Sequence, residues 1–527
     1  MIYLIIIFTV LFFILAFARL DWAVMFLIVG LPTYLIRFNI FSLPSTLLEI
    51  MIWVVFLVWL IKNFSRVKNN FLENFKKENK KIKIRYPFDW EIVLLLLIAL
   101  VAAGVSAFSF SSLGIFKAYF FEPVMFFIVV LNIMKGEAGR NKILWSLAVS
   151  AFAVSVLAIY QKITGQLIDN PTWAAAETRR AVSFFGYPNA VGLYLGPIIL
   201  IMVGWLSSVI ARSNLICHCW LDQQSGNLFS AIKFGFRLGG RNDKNKLVAR
   251  NDIGVLFFIS LTIIVSTLSI YFAKSKGALL GVAAGLIVFG LMVNKKVRWA
   301  MVIILILIGI GVAAYGPARN FAVSNITLTN LSGQIRRAGW ADTWKMLKDS
   351  RLLNGAGLAN FQAEITPYHT EGIFVKDYND PDAQKKLVFN EVYRTAHWQP
   401  LEIYLYPHNI IFNFWSELGL AGLLLFIWII LKYFYLGIHL VISGSDPQSR
   451  NINDAENWIL GQARNDRKRR SFSMADKYLV IGLICAMVAI VVHGVVDVPY
   501  FKNDLSIMFW LFVAMISMIN LEIKLKI

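Results

Sequence analysis

The sequence predicts an all-α integral membrane protein, and three observations carry that expectation. Of its 527 residues, 58% are hydrophobic, and the mean hydropathy is +0.64, both well above the values of a soluble domain. Apolar stretches long enough to cross about 30 Å of hydrocarbon recur along nearly the whole chain. The alternating pattern of a membrane β-barrel does not appear, which leaves helices as the way to satisfy the backbone in lipid.

Taken in order, apolar spans fall near 2–18, 22–36, 46–61, 90–109, 117–134, 143–162, 189–210, 254–272, 277–293, 299–316, 410–432, 477–497 and 504–520. That gives about 12–13 transmembrane helices, because the first two spans are short enough to form a hairpin. The first span ends in Ala16-Phe17-Ala18, which mimics a signal cleavage site. It lacks a basic leader, so it is expected to remain as a membrane segment.

Charge then sets the expected orientation. The net charge of +20 is not spread over one face that would suit a nucleic acid; it clusters between apolar spans. Residues 62–86 carry nine lysines and arginines against Glu73 and Glu78, so this loop is expected in the cytoplasm. Counting crossings from there puts 135–142, 211–252, 294–298 and 433–476 inside, each with a basic excess or cluster. It puts 163–188, 273–276 and 317–409 outside. In the last of these, ten basic side chains stand against nine acidic ones, the near balance expected of a translocated loop.

The expected organisation is therefore N-terminal transmembrane helices over 1–316, one large extracytoplasmic loop over 317–409, and C-terminal transmembrane helices over 410–527. The loop is long enough to hold helices of its own, and "AGWADTWKMLKDSRLLNGAG" (338–357) reads as a helix ending near Asn354-Gly355. Polar stretches at 211–252 and 443–475, sharing the tetrapeptide "ARND", read as mobile cytoplasmic inserts.

No metal or cofactor is expected. Cys217, Cys219 and Cys485 make no disulfide framework, and "CHC" at 217–219 lacks the second ligand pair of a structural zinc site. "NDPD" (379–382) suggests paired aspartates, but an Asp-Pro turn explains it more simply. There is no HExxH, Walker loop or dinucleotide fingerprint.

The stretch "YPHNIIFNFWSELGLAGLLLF" (406–426) carries polar groups into an apolar run. Read as a helix beginning at Pro407, it sets Trp415, Gly419 and Gly422 within about 40° of His408, with Glu417 facing another way. His408 would then sit in the first turn, where the helix dipole favours a neutral imidazole and free N–H groups suit an anion. A proton acceptor beside an anion site is the functional expectation; an interfacial histidine satisfied by the loop is the alternative.

Cations share that boundary: Arg179 and Arg180, Lys274 and Lys276 in a tight turn, and Arg336 and Arg337 in the loop helix. They run against the positive-inside tendency, and guanidinium groups suit a pyrophosphate. Near the C-terminus His493 and Asp497 stand four apart, spaced for a polar contact between helices, with Lys502 beyond them.

These residues resemble the O-antigen ligase and polymerase superfamily of bacterial multi-spanning glycosyltransferases. His408-Asn409, nine residues, then Gly419-Leu420-Ala421-Gly422 is similar to the family's motif, with Leu423 where a threonine is usual. "RRAGWADTWKMLKDSRLLNGAGLANF" (336–361) and "FFGYPNAVGLYL" resemble two further family segments. "SKGALLG" (275–281) resembles a turn that normally carries arginine, where this chain has Lys276.

The resemblance implies transfer of glycan from a polyprenyl-pyrophosphate donor to an acceptor hydroxyl at the outer face of the cytoplasmic membrane, with inversion and without a metal. It implies His408, Arg336, Arg337 and Lys276 as catalytic residues and Arg180, Arg179, Asn409 and Lys502 as substrate-binding ones. The implied partners are the lipid-linked glycan, an acceptor on glycan, lipid or protein, and membrane lipids, with no nucleic acid. A transporter or flippase of lipid-linked saccharides is the competing class, and its substrate groups would be expected near the membrane midplane in repeated halves.

Overall fold

The computed structural model describes residues 2–40, 43–76, 87–212, 243–377, 380–443 and 473–524. Most of the two expected cytoplasmic inserts, with Cys217 and Cys219, lies outside these residues. In chain order the principal helices are α1 (Ile2–Ala18), α2 (Leu20–Val29), α3 (Leu47–Lys76), α4 (Asp89–Val105), α5 (Phe110–Ile133), α6 (Gly136–Thr164) and α7 (Pro188–Arg212). They continue as α8 (Asp243–Phe272), α9 (Lys276–Val293), α10 (Lys295–Ala314), α11 (Gly316–Ile326), α12 (Leu331–Met346), α13 (Ile410–Ser443), α14 (Met474–Gly494) and α15 (Asn503–Lys524).

Ten of the described helices are long and apolar enough to cross a membrane, and the chain is an all-α membrane protein. Two small antiparallel hairpins are its described sheet structure: β1 (Arg37–Ile40) with β2 (Leu43–Thr46), and β3 (Gly372–Phe374) with β4 (Trp398–Pro400). The hydrophobic core runs through most of the bundle, with α14 packed against α7 and α9, and α15 against α5. Small residues set the closest crossing: a Cβ added to Gly204 would stand 2.7 Å from the Cα of Gly482, so only glycines permit this approach. No residue of α10 is buried; its apolar side chains face outward as lipid-exposed ones would.

At one end of the bundle, ion pairs lock helix ends together. Arg140 at the start of α6 pairs with Asp476 of α14 and Glu522 of α15. Glu91 of α4 takes the Lys432 ammonium at 2.7 Å and the Trp428 indole at 2.9 Å, joining α4 to α13. With the ends fixed there, the segment 317–409 folds over the opposite end through α11, α12, the β3–β4 hairpin and short helices.

The structure corrects two expectations drawn from the 406–426 stretch. Helix α13 begins at Ile410, not at Pro407, because Asn409 is the better cap: its Oδ1 accepts the N–H groups of Ile411 at 2.9 Å and Phe412 at 3.1 Å. The helix is also not continuous, since Gly419 adopts φ 72°, ψ −177°, a conformation open essentially to glycine alone.

The break is filled by the segment after α12. Leu353 accepts the Leu420 N–H at 3.0 Å, the Ser416 carbonyl accepts the Ala356 N–H at 2.6 Å, and the Trp415 indole donates to the Leu352 carbonyl at 2.7 Å. Glu417, which the sequence turns away from His408, accepts the Ala359 N–H at 2.8 Å. Backbone freed by a broken membrane helix is thus satisfied by backbone from the opposing segment.

Gly355, at φ 64°, meets this break from the other side, and a Cβ on it would lie 2.5 Å from the Ser416 carbonyl oxygen. A Cβ on Gly419 would lie 2.2 Å from the Leu353 oxygen. Gly419→Ala should therefore cost about 1–3 kcal/mol from backbone strain alone, with the clash added. A thermal melt in detergent should show a clearly lowered midpoint; an unchanged one would mean that the break can straighten without loss.

Candidate active site

Left-handed backbone at a histidine marks the centre of the site. His408 sits at φ 48°, just before the cap of α13, a conformation that costs energy for a residue with a side chain. Three contacts hold it there. The Trp340 indole donates to the Pro407 carbonyl at 2.8 Å, the Asn409 amide donates to the Val495 carbonyl at 2.9 Å, and Asn409 caps α13. Asn409 is thereby engaged with backbone on both sides, a brace beneath the histidine.

The imidazole lines a cavity of about 470 Å³ together with Lys276, Arg336, Asp342, Tyr404 and Tyr406. The Tyr404 and Tyr406 rings stand edge-on to it at 4.9 and 4.7 Å between centroids. Its Nδ1 is buried without a hydrogen-bond partner and lies 3.8 Å from Asp497 Oδ1, an electrostatic contact longer than a hydrogen bond.

Behind the histidine runs a polar relay. Asp497 is 2% exposed; its Oδ2 accepts from the Asn189 amide at 3.2 Å, whose oxygen accepts from Arg180 Nη2 at 3.3 Å. Arg180 Nε in turn donates to the Ala273 carbonyl at 2.9 Å. Burial raises the Asp497 carboxyl, but His408 and His493 beside it more than offset this and hold it near 2. The carboxylate is thus charged at neutral pH, and burial lowers the Arg180 pKa.

The sequence spacing of His493 and Asp497 suggested one helical face. Helix α14 ends at Gly494, so Asp497 lies in the following turn, free to reach toward His408 instead. Pro499, two residues on, bars continuation of the helix.

The cations divide. Arg336 lies on the stripe of α12 that includes Ser332, Ile335, Gly339 and Asp342, all of which face the cavity. Its Nη1 donates to Ser332 Oγ at 2.6 Å, while its Nε is buried with no partner. Burial lowers its pKa, opposed by the nearby Asp497 carboxylate. Arg337, 100° around the same helix, is exposed and does not line this cavity.

Lys276, the first residue of α9, also lines the cavity; its ammonium lies 3.2 Å from Asn325 Oδ1 and 5.2 Å from the Phe321 ring centre. Arg179 is engaged elsewhere, donating to the carbonyls of Lys162, Ile163 and Ala174 around the end of α6. Lys502 is enclosed by aromatic rings: its ammonium is 3.0 Å from the Tyr34 hydroxyl and 4.5 Å from the Tyr187 ring centre. Burial lowers its pKa.

Sequence reading missed Asn189 and Asp497 as partners of the site, and the two tyrosines. The tyrosines carried a signal in the "YLYPH" run, and Asn189 in the Pro-Asn segment; Asp497 carried none that separates it from a helix–helix contact. Asp380, one of the paired aspartates of "NDPD", is held by Lys386 at 2.7 Å and accepts the Asp382 N–H at 3.0 Å, in a turn.

The arrangement is a largely apolar cavity whose lining includes an imidazole, backed by a carboxylate, together with a guanidinium and an ammonium. It suits proton abstraction beside an anion. The family model for O-antigen ligase matches residues 261–427, a stretch running from within α8 through Lys276, Arg336 and His408 to the middle of α13. Arg180, Asn189, Asp497 and Lys502 lie outside it. No curated protein matches the chain.

Proposed function

We propose, from the match of residues 261–427 to the O-antigen ligase family model, that the chain transfers glycan from a polyprenyl-pyrophosphate donor to an acceptor hydroxyl at the extracytoplasmic face of the cytoplasmic membrane. The observation that carries the reading is the convergence of Lys276, Arg336 and His408, from three distant segments, on one cavity. Charge supports that orientation: counted in crossings from the basic residues 62–86, the 317–409 segment falls on the opposite side of the membrane.

The acceptor hydroxyl attacks the anomeric carbon of the donor while the bond to the pyrophosphate breaks. His408 takes the hydroxyl proton on Nε2, since Nδ1 faces Asp497, and the Asp497 carboxylate stabilises the imidazolium that forms. Arg336 and Lys276 meet the negative charge that grows on the departing pyrophosphate. A single displacement of this kind inverts the anomeric centre. The energy of the donor bond drives transfer, so the residues here need only orient, deprotonate and neutralise. Arg180 acts through Asn189 on Asp497 as a positioning residue, and Asn409 holds the corner that bears His408.

Purified protein in proteoliposomes, given lipid-linked glycan, should form longer glycan or glycosylated acceptor with release of polyprenyl pyrophosphate. Chain growth from the lipid-linked repeat alone marks a polymerase; a requirement for a second acceptor marks a ligase. Movement of lipid-linked glycan across the bilayer with no new glycosidic bond would overturn the reading in favour of a transporter.

At Lys276 the charge matters more than its shape if the ammonium serves the pyrophosphate. Lys276→Ala should raise the donor KM by about tenfold, the equivalent of one charge-assisted hydrogen bond, and Lys276→Arg should retain most of the wild-type value. A Lys276→Arg protein as impaired as Lys276→Ala would remove this residue from donor binding.

A further inference from the structure

A second cavity, of about 600 Å³, opens at the same end of the bundle, and the reaction described above does not use it. It lies between the β1–β2 hairpin, the start of α3 and the first turns of α5, where the helix widens into a π-helical turn over Phe116–Phe121. Such turns are frequent at functional sites. Arg37, Asn39, Glu49, Lys117, Phe38 and Tyr119 are among its lining residues.

Glu49 is buried and fully engaged: one oxygen takes Lys117 Nζ at 2.8 Å and Ser45 Oγ at 3.0 Å, and the other takes the Asn503 amide at 3.0 Å. Lys117 is thereby neutralised, leaving an exposed guanidinium and amide, Arg37 and Asn39, beside aromatic rings. Of the two cations, Lys117 is held by Glu49 at 2.8 Å, and Arg37 remains open to a polar ligand. A ligand with hydroxyl groups and apolar faces finds donors, acceptors and rings.

The two cavities are joined by a short file of side chains. Tyr406 lines the first and adjoins the hydroxyl of Tyr187; the Tyr187 ring carries the Lys502 ammonium at 4.5 Å; Lys502 bonds to Tyr34 at 3.0 Å; and Tyr34 lines the second. We infer that the second cavity is a glycan subsite, which holds sugar units of a substrate whose reacting end lies at His408. This rests on the proposed transfer reaction for the identity of the glycan. The sugars belong either to the acceptor or to the donor, and the kinetics below tell them apart.

Gly114 offers a test with little structural cost, since it lines the cavity and a Cβ added there meets nothing within 4 Å. The probe is the host's own glycan, released from its lipid carrier and freed of phosphate, titrated into the full-length protein in detergent. It should bind the wild type, bind Gly114→Trp and Asn39→Ala about tenfold or more weakly, and bind His408→Ala normally. Inorganic pyrophosphate should not compete. In the transfer assay, Gly114→Trp should raise KM for the acceptor if the sugars are the acceptor's and for the donor if they are the donor's, with kcat little changed.

Absence of glycan binding to the wild type, or equal binding to Gly114→Trp, would overturn the inference while leaving the role of His408 intact. Competition by pyrophosphate would also overturn it, marking an anion site. Conversely, an active His408→Ala protein that still loses glycan binding through Gly114→Trp would sink the proposed chemistry and spare the subsite.

Discussion

Transfer by His408→Ala protein is expected to fall about 10²- to 10⁴-fold, the range for loss of a general base, while donor affinity and the thermal midpoint stay near wild type. The side chain is a quarter exposed and makes no hydrogen bond that holds the fold, so its removal should not unfold the protein. Removal also relieves little, because the left-handed backbone is held by Trp340 and Asn409 rather than by the imidazole. Asp497→Asn should lower transfer less, because the imidazole remains but loses the charge that stabilises its protonated form. Single-turnover rates in proteoliposomes separate these effects from binding. A His408→Ala protein that turns over at the wild-type rate would exclude the histidine from the chemistry.

Arg336→Ala is expected to reduce turnover by about 10² to 10³, the cost of removing one aimed donor to developing negative charge. Arg336→Lys should recover only part of this, because an ammonium cannot reproduce a fork whose Nη1 is bound to Ser332 while its Nε remains unpartnered. The neighbouring Arg337→Ala is the internal control: it changes the same net charge at an exposed position outside the cavity, and turnover should stay within about twofold, as expected of a surface charge. Equal losses from both replacements would point to the general field of the loop rather than to a directed contact.

Much of this was legible in the sequence because lipid imposes strict rules. Apolar length gave the spanning helices, and cations at the boundary where the positive-inside tendency predicts few of them led to Lys276 and Arg336. The choice between Arg336 and Arg337 needed the phase of α12, which a run of mixed polar residues does not display. The reading of 406–426 failed at both ends for a physical reason. Asn409 competes for the free N–H groups that Pro407 would otherwise begin, and Gly419 looks in sequence like a packing glycine although its backbone breaks the helix. That break is stabilised by the Leu352–Ala359 segment about sixty residues upstream, a contact no local pattern encodes. Asp497 escaped for the same reason: its distance along the chain from His493 fits a helix turn, but its nearest titratable partners are set by where α14 stops.

Lys502 shows a different limit. Its charge beside the membrane boundary suggested a ligand, whereas Tyr34, Phe185 and Tyr187, from two other segments, already surround its ammonium. An aromatic enclosure of this kind stabilises a cation without a carboxylate. Whether a residue's charge is free for substrate depends on such enclosure, and composition gives no sign of it.

The most direct measurement is an experimental structure of the protein in a lipid nanodisc with polyprenyl pyrophosphate bound. The expected result is diphosphate density between Lys276 and Arg336, within hydrogen-bonding distance of at least one of them, with the hydrocarbon tail leading into the bilayer and the His408 ring beside the first phosphate. Diphosphate bound at the Arg140 end of the bundle, or held with both cations turned away, would contradict the assignment of this cavity.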